Sequence, residues 1–451
     1  MSKKIIVNKF GGGILKKELM PIIVKRLKEQ LASGSSPIAV VSAMPGITDS
    51  LVYFLLKISE KSLKEKEANL LITNYIKEIK DLHNTILIDI GFNKKEQEKV
   101  KIELDKLFYQ LEEDLLVIVA TNTNILEDKI VSYGEKLSAT ILTNYFNLMG
   151  IKSKRFLAEE IPILTDNNFK NANIDYKVSE KNIIKKLSSV SELPVIAGFT
   201  GITSNKQTTT LGRGGTDTTA CFIGAALRAE KVVLWKDVGG VLSADPKIIK
   251  EAKTIPLINY MEAEESGKII HDKAIQYIKL FKTPIEISSI INPKLKTRIE
   301  DTSRPQKGAK IVSLKKDLNF ILITDEIIKL NDLLAIVSQT FKEFKMDIIL
   351  ISNTHYSLQI VADNNNGQIY KVYDELRKKV AKIEIVKTHM VFLVGLFDAK
   401  DVSNFNDLLV KLGTDLLISA FYYENCNRME AVIKTADINK VVRALYKKFI
   451  K

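Results

Sequence analysis

Cysteine, histidine and tryptophan are nearly missing from this chain of 451 residues, which holds two, four and one of them. Cys221 and Cys426 lie far apart in sequence, so they make neither a disulfide framework nor a spaced zinc-ligand set. The isolated histidines argue against a histidine-based metal centre, and no metal site is expected. No apolar run reaches the roughly 18 residues that a membrane span needs. The N-terminus, Met1 to Val7, is basic but enters a strand-like run without a small-residue cleavage site. These absences point to a cytoplasmic protein with no membrane partner. A P-loop, the protein-kinase motif set and a dinucleotide-binding G-x-G-x-x-G with its downstream acid are also lacking. Negative charge is in deficit: the net charge is +13. The excess is lysine interleaved with glutamate, as in Lys61 to Glu67. That pattern fits solvated faces, and without a recognition motif no nucleic-acid partner is expected.

What the chain does hold is one glycine-rich stretch, Gly198 to Ala220, directly after the apolar run Leu193 to Ala197. Five glycines let backbone amides approach an anion. Arg213 is a bidentate partner for a carboxylate or a phosphate. Asp217 opens an Ala-rich segment expected to be a helix, whose N-terminus also favours anions. A strand, an anion-binding turn and a helix read as an active site; a flexible surface loop is the plain alternative.

The length calls for two or three domains. To about residue 300, short apolar runs (Ile5–Val7, Pro37–Val41, Leu193–Ala197, Lys231–Trp235, Pro284–Ile287) alternate with helical stretches, the pattern of an α/β fold with a mostly parallel sheet between helices. Residues 50–145 read as several amphipathic helices. A polar segment at 301–315 is the expected linker. Beyond it, from 316 to 451, two rounds of strand, helix and paired strands fit a tandem of small α+β units. Glycine turns after strands, with Lys9 beside the first and Arg213 in the main loop, point to phosphoryl transfer to a small acid.

Five ordered motifs carry a specific resemblance: Lys9-Phe10-Gly11-Gly12, Ser42 to Asp49, Ser132-Tyr133-Gly134-Glu135, Gly198 to Ala220, and Trp235 to Val241 with Ala244 to Lys247. With T-T-T-L-G-R-G-G-T-D at its centre, the chain resembles the aspartokinases of the amino-acid kinase superfamily. The resemblance implies an amino-acid kinase domain over residues 1–300 and tandem ACT (ferredoxin-like) domains over 316–451. It implies transfer of the ATP γ-phosphoryl group to the β-carboxylate of L-aspartate, with Mg²⁺, as the entry to lysine, threonine and methionine synthesis. Lys9 and Asp217 would be catalytic. Ser42, Thr48, Glu135, Phe199 and Arg213 would bind aspartate, with Arg213 taking the α-carboxylate and Glu135 the ammonium. The nucleotide would meet Gly11, Gly12, Gly214, Gly215, Lys236, Asp237, Leu242, Lys247 and Lys268. A homodimer or tetramer through the ACT domains and an amino-acid effector are implied as partners.

The departures cluster on the nucleotide side. Gly13-Ile14 stands where the family has two hydroxyls, Lys236 where it has Thr or Ser, Leu242 for tyrosine, Lys247 for arginine and Asp272 for proline. In the first ACT unit Ile349 replaces an aspartate able to hold an amino-acid ammonium, and Thr354-His355 replaces a Ser-Glu pair. A non-catalytic regulatory paralogue and a superfamily kinase for another acid are the competing readings; retention of Lys9, Glu135, Arg213 and Asp217 together favours an active aspartokinase.

Overall fold

The computed structural model describes residues 4–59, 64–121, 126–266, 270–301, 307–354, 356–364, 367–421 and 427–450, with the backbone alone at 272 and 419–421. The chain divides into two units, Met1–Val241 with Thr254–Ser303, and Leu242–Lys253 with Arg304–Lys451.

The first unit opens with β1 (Ile5–Phe10), α1 (Met20–Ala32), β2 (Ser36–Val41), α2 (Ile47–Ile58), α3 (Glu65–Asp89), α4 (Lys94–Thr121) and α5 (Glu127–Leu148). It continues with β3 (Ser153–Phe156), α6 (Tyr176–Leu187), β4 (Leu193–Ala197), β5 (Thr200–Ile202), β6 (Thr208–Thr210) and α7 (Gly215–Ala226). It closes with β7 (Lys231–Lys236), β8 (Leu257–Ile258), α8 (Tyr260–Glu265), α9 (Asp272–Phe281), β9 (Ile285–Ser289) and β10 (Lys296–Ile299). Eight strands form one sheet in the order β3-β4-β2-β1-β7-β9-β10-β8, and the first six run parallel. The apolar runs read from sequence are its central strands. Both faces are covered, so their residues are buried without alternation. Asn8 and Lys9 are the polar residues inside β1; the Asn8 amide exchanges hydrogen bonds with Gln30 at 2.8 Å and accepts one from the Trp235 indole at 2.9 Å.

Between 50 and 145 the described residues form the helices α2 to α5, as expected. On α3 the buried residues Ile72, Tyr75, Ile76, Ile79, His83 and Leu87 recur at helical spacing and face α4 and the core. Helix α5 is buried over almost all of its length. A helix buried on nearly every side has to be central, and this one, with Asp128, Glu135 and Lys136 among its buried residues, packs on α2, α4 and the sheet. The β5–β6 hairpin inside the glycine-rich stretch was not foreseen, because three-residue strands reading Thr-Gly-Ile and Thr-Thr-Thr carry no apolar alternation.

In the second unit, β11 (Gly308–Thr324), α10 (Leu330–Glu343), β12 (Ile348–Asn353), β13 (Ser357–Asp363), α11 (Gln368–Leu376), β14 (Lys382–Leu396), α12 (Ala399–Lys411), β15 (Asp415–Phe421), β16 (Arg428–Lys434) and α13 (Ile438–Phe449) follow in order. They build one antiparallel sheet, β12-β13-β11-β14-β16-β15. Two cores lie against it. One gathers Ile321, Ile323, Val337, Phe341, Ile360 and Val372; the other gathers Val312, Leu314, Leu393, Phe405, Ile433 and Leu445. The long strands β11 and β14 serve both, so the two halves are entwined.

That arrangement corrects the linker expected at 301–315. Residues 308–315 form the first part of β11 and pair with the end of β14, with Ile311, Val312 and Leu314 buried. The Pro, Gly and polar residues of 301–310 and the lysines flanking those apolar residues gave the stretch its linker-like composition. Residues 302–306 lie outside the described residues. The expected first domain, 1–300, also contained 242–253, which belongs to the second unit: Ala244 and Ile249 are in its core, and the Ser243 carbonyl accepts from the Val312 amide at 2.9 Å.

Candidate active site

The C-terminal ends of β1, β2 and β4 and the start of α7 enclose a cavity of about 250 Å³. It is lined by Lys9, Ser42, Thr48, Glu135, Phe199, Gly212, Arg213, Gly214, Gly215, Thr216 and Asp217. Open parallel sheets bind ligands at this end of their strands. The volume lies just under the roughly 300–1,000 Å³ typical of drug-sized ligands, which suits a small amino acid.

Asp217 is the third residue of α7, and Gly214 is the cap. The helix thus begins two residues before the expected start, and Asp217 is not its N-cap. Its carboxylate instead meets the Lys9 ammonium at 2.6 Å and the Lys236 ammonium at 3.8 Å. Burial pushes the Asp217 carboxyl up, but Lys9 and then Lys236 outweigh it and hold the group below the ordinary carboxylate range. Lys9 is itself buried at the end of β1. The result is an ion triad with two ammoniums on one carboxylate. No side chain caps α7, and Gly214 sits at φ 72°, where a side chain is strained. The Gly215 amide donates to the Gly212 carbonyl at 3.0 Å, and the next two amides, of Thr216 and Asp217, are the ones offered to an anion.

Glu135 is 2 % exposed on α5. Oε1 accepts from the Ala43 amide at 3.1 Å. Gly134 makes that contact possible: a Cβ there would lie 2.9 Å from the Ala43 Cβ, so only glycine lets the chain after β2 approach the helix. Burial raises the Glu135 carboxyl to about 8, although the Ala43 amide, the Ser42 hydroxyl and Lys9 pull the other way. A carboxylate in this position needs a cation before it ionises fully near neutral pH.

Phe199 follows β4 at φ 71°, a left-handed conformation that costs a bulky residue energy. The strain is held by three contacts. Its amide donates to the Thr219 hydroxyl at 3.0 Å, its carbonyl accepts from the Leu211 amide at 2.9 Å, and its ring packs against Gly215. Arg213 is exposed at the rim and forms no ion pair among the described residues. Thr216 donates to the Ser42 hydroxyl at 3.4 Å. Thr216 and Thr219 were not singled out from sequence; the density of hydroxyls after Arg213 was their only signal.

The residues expected to bind aspartate and the two expected to be catalytic therefore share one cavity with Gly214 and Gly215. The remaining nucleotide residues are more scattered. Gly11 and Gly12 form the turn after β1, Lys236 touches the cavity through Asp217, and Asp237 is exposed just past β7. Leu242 and Lys247 fall in the second unit. Lys268 lies outside the described residues, as do His355 and Cys426. Among the departures, Ile14 has joined the core at 2 % exposure and Gly13 is exposed.

The model of the amino acid kinase family matches residues 4–289. The chain is 25% identical to the aspartokinase of Rickettsia felis over 459 aligned residues, covering 99% of each protein. In three dimensions it is similar to E. coli aspartokinase III in complex with lysine and aspartate, with a TM-score of 0.80 and 20% identity over 99% of this chain and all of that one. The same enzyme in complex with aspartate and ADP gives a TM-score of 0.78 at 19% identity, with the same coverage.

Proposed function

The chain belongs to the amino acid kinase family, and we propose that it is an aspartokinase, passing the γ-phosphoryl group of ATP to the β-carboxylate of L-aspartate. The observation that carries this reading is the pairing, in one small cavity, of a buried carboxylate in want of a cation with a rim arginine in want of an anion. Glu135 would take the substrate ammonium and Arg213 its α-carboxylate, with Ser42 and Thr48 between them. The side-chain carboxylate then points to the Lys9–Asp217 end.

There the chemistry is one displacement. A β-carboxylate oxygen bonds to the γ-phosphorus, the bond from that phosphorus to the β,γ-bridging oxygen breaks, and ADP leaves with the electron pair. The nucleophile is already ionised, so no general base is required. The chain's task is positioning and charge neutralisation. Lys9 supplies an ammonium to the transferring oxygens, and Asp217 holds it in place. Lys236 adds a second ammonium on the same carboxylate, offsetting the hydroxyls lost at Gly13 and Ile14. Mg²⁺ would travel with the nucleotide, since it needs only one or two carboxylates besides the phosphates. Asp217 in the first turn of α7 and Asp237 just past β7 are the carboxylates that would be offered to it.

The reading extends to assembly and control. The sheet of the second unit ends in β12 and β15, edge strands to which a second copy would add, giving a homodimer or a tetramer. Ile349 lies in β12, and an effector ammonium held there would find no carboxylate at that position. We expect lysine to inhibit weakly or not at all, and place the protein in the cytoplasm; among the described residues no helix is long and apolar enough to cross a membrane.

Arg213→Ala tests the division of the cavity. The KM for aspartate should rise about 100-fold, a loss of ~2.7 kcal/mol typical of a charged hydrogen-bonded pair, with the KM for ATP little changed. Equal losses for both substrates would contradict it.

A further inference from the structure

Asp128 takes no part in this chemistry, yet it is 3 % exposed at the start of α5. One oxygen, Oδ2, accepts two backbone amides from separate segments, Thr210 at 2.6 Å and Lys170 at 2.8 Å. Thr210 ends β6 and leads straight into Leu211-Gly212-Arg213. Its carbonyl is held as well, accepting from the Ala172 amide at 2.9 Å. The 170–172 loop is pinned from its other side by Lys273 of α9. That ammonium donates to the Asn171 carbonyl at 2.8 Å, to its side-chain oxygen at 2.6 Å and to the Ala172 carbonyl at 3.1 Å. Gly212 crosses this loop closely: a Cβ there would lie 2.6 Å from the Asn171 side-chain oxygen.

Asp128 and Glu135 are seven residues apart on α5, which is two helical turns and the same side. One carboxylate grips the strand that delivers Arg213; the other faces the substrate ammonium. We propose that Asp128 is a positioning residue that fixes Arg213 relative to Glu135 and so sets the length of amino diacid the site accepts. The inference rests on the aspartokinase reading. Aspartate and glutamate differ by one methylene, so a cavity that tells them apart needs its anion-binding and cation-binding groups held at a constant separation. Without Asp128, the buried Thr210 amide and the part-buried Lys170 amide lose their acceptor, and the chain must move to bring Thr210 to water.

The test uses the full chain and compares Asp128→Ala with Asp128→Asn. The alanine variant should raise the KM for aspartate by about tenfold or more, as sub-ångström misplacement does, while the KM for ATP stays within about twofold. Its preference for aspartate over glutamate should fall. Asparagine keeps one carbonyl oxygen able to accept both amides, so it should recover most of the loss. An unchanged aspartate KM and selectivity in the alanine variant would overturn the inference. So would equal rises in both KM values accompanied by a lower Tm, which mark a merely structural role. If the alanine variant does not fold, Lys273→Met loosens the same loop from its other side. It should give the same aspartate-selective change in milder form, and absence of that change counts against the proposal. A wild-type chain that phosphorylates no aspartate overturns both readings, whereas an active wild type with an indifferent Asp128→Ala overturns this one alone.

Discussion

Glu135 sets the strongest expectation at the level of single residues. In the free protein burial raises its carboxyl to about 8, so near neutral pH it largely holds a proton. Binding an ammonium would expel that proton. Affinity for aspartate should therefore rise with pH, by up to ~tenfold per unit between about 6 and 8, and level off above. Steady-state KM values for aspartate across that window check this, and a flat profile contradicts it. The same group bears on stability. Its contribution is fully present below about 4.5, the ordinary value, and is lost as pH rises towards about 8, because the unfolded chain ionises first. Glu135→Gln should thus make the ligand-free protein more stable at pH 8, by roughly 2–4 kcal/mol, while abolishing use of aspartate. Unfolding curves at pH 5 and 8 would show the gain at the higher pH only.

Among the elements, the glycine-rich loop was the most legible from sequence and the threonine hairpin within it the least. Glycines, Arg213 and Asp217 advertise their chemistry by residue type. Whether Asp217 caps α7 or lies inside it depends on where Gly214 turns the chain, and spacing does not reveal that. Asp128 had no motif of its own, since a carboxylate near a helix start looks like a favourable charge on the helix dipole. The α3–α4 pair carries a different signal. His83 is buried against Phe108, its Nδ1 is 2.7 Å from the Ile79 carbonyl, and burial, opposed by that contact, lowers its basicity. A histidine kept neutral in the fold contributes stability above about 6.5, which is lost as pH falls and the unfolded chain takes up the proton. Glu135 acts in the opposite sense over this range, so the His83 contribution is read as a difference: relative to wild type, the Tm of His83→Leu should rise as pH falls from 7.5 to 5.5. A difference that does not change with pH would contradict this.

For the molecule as a whole, the parallel sheet and the α+β character of the C-terminal part follow from the alternation of apolar runs, but the boundary between the units does not. Leu242–Lys253 follows a strand of the first unit in sequence and packs in the core of the second. The β11 strand hides behind a lysine-rich composition until its pairing with β14 is seen. Long-range pairing of this kind leaves no local trace, whereas motifs that bind charge do. One reaction decides the function of the whole molecule. Purified full-length protein with Mg-ATP, L-aspartate and hydroxylamine should yield aspartyl hydroxamate and ADP in equal amounts, and nothing when aspartate is left out. A folded sample that binds ATP but forms no hydroxamate with aspartate would contradict it.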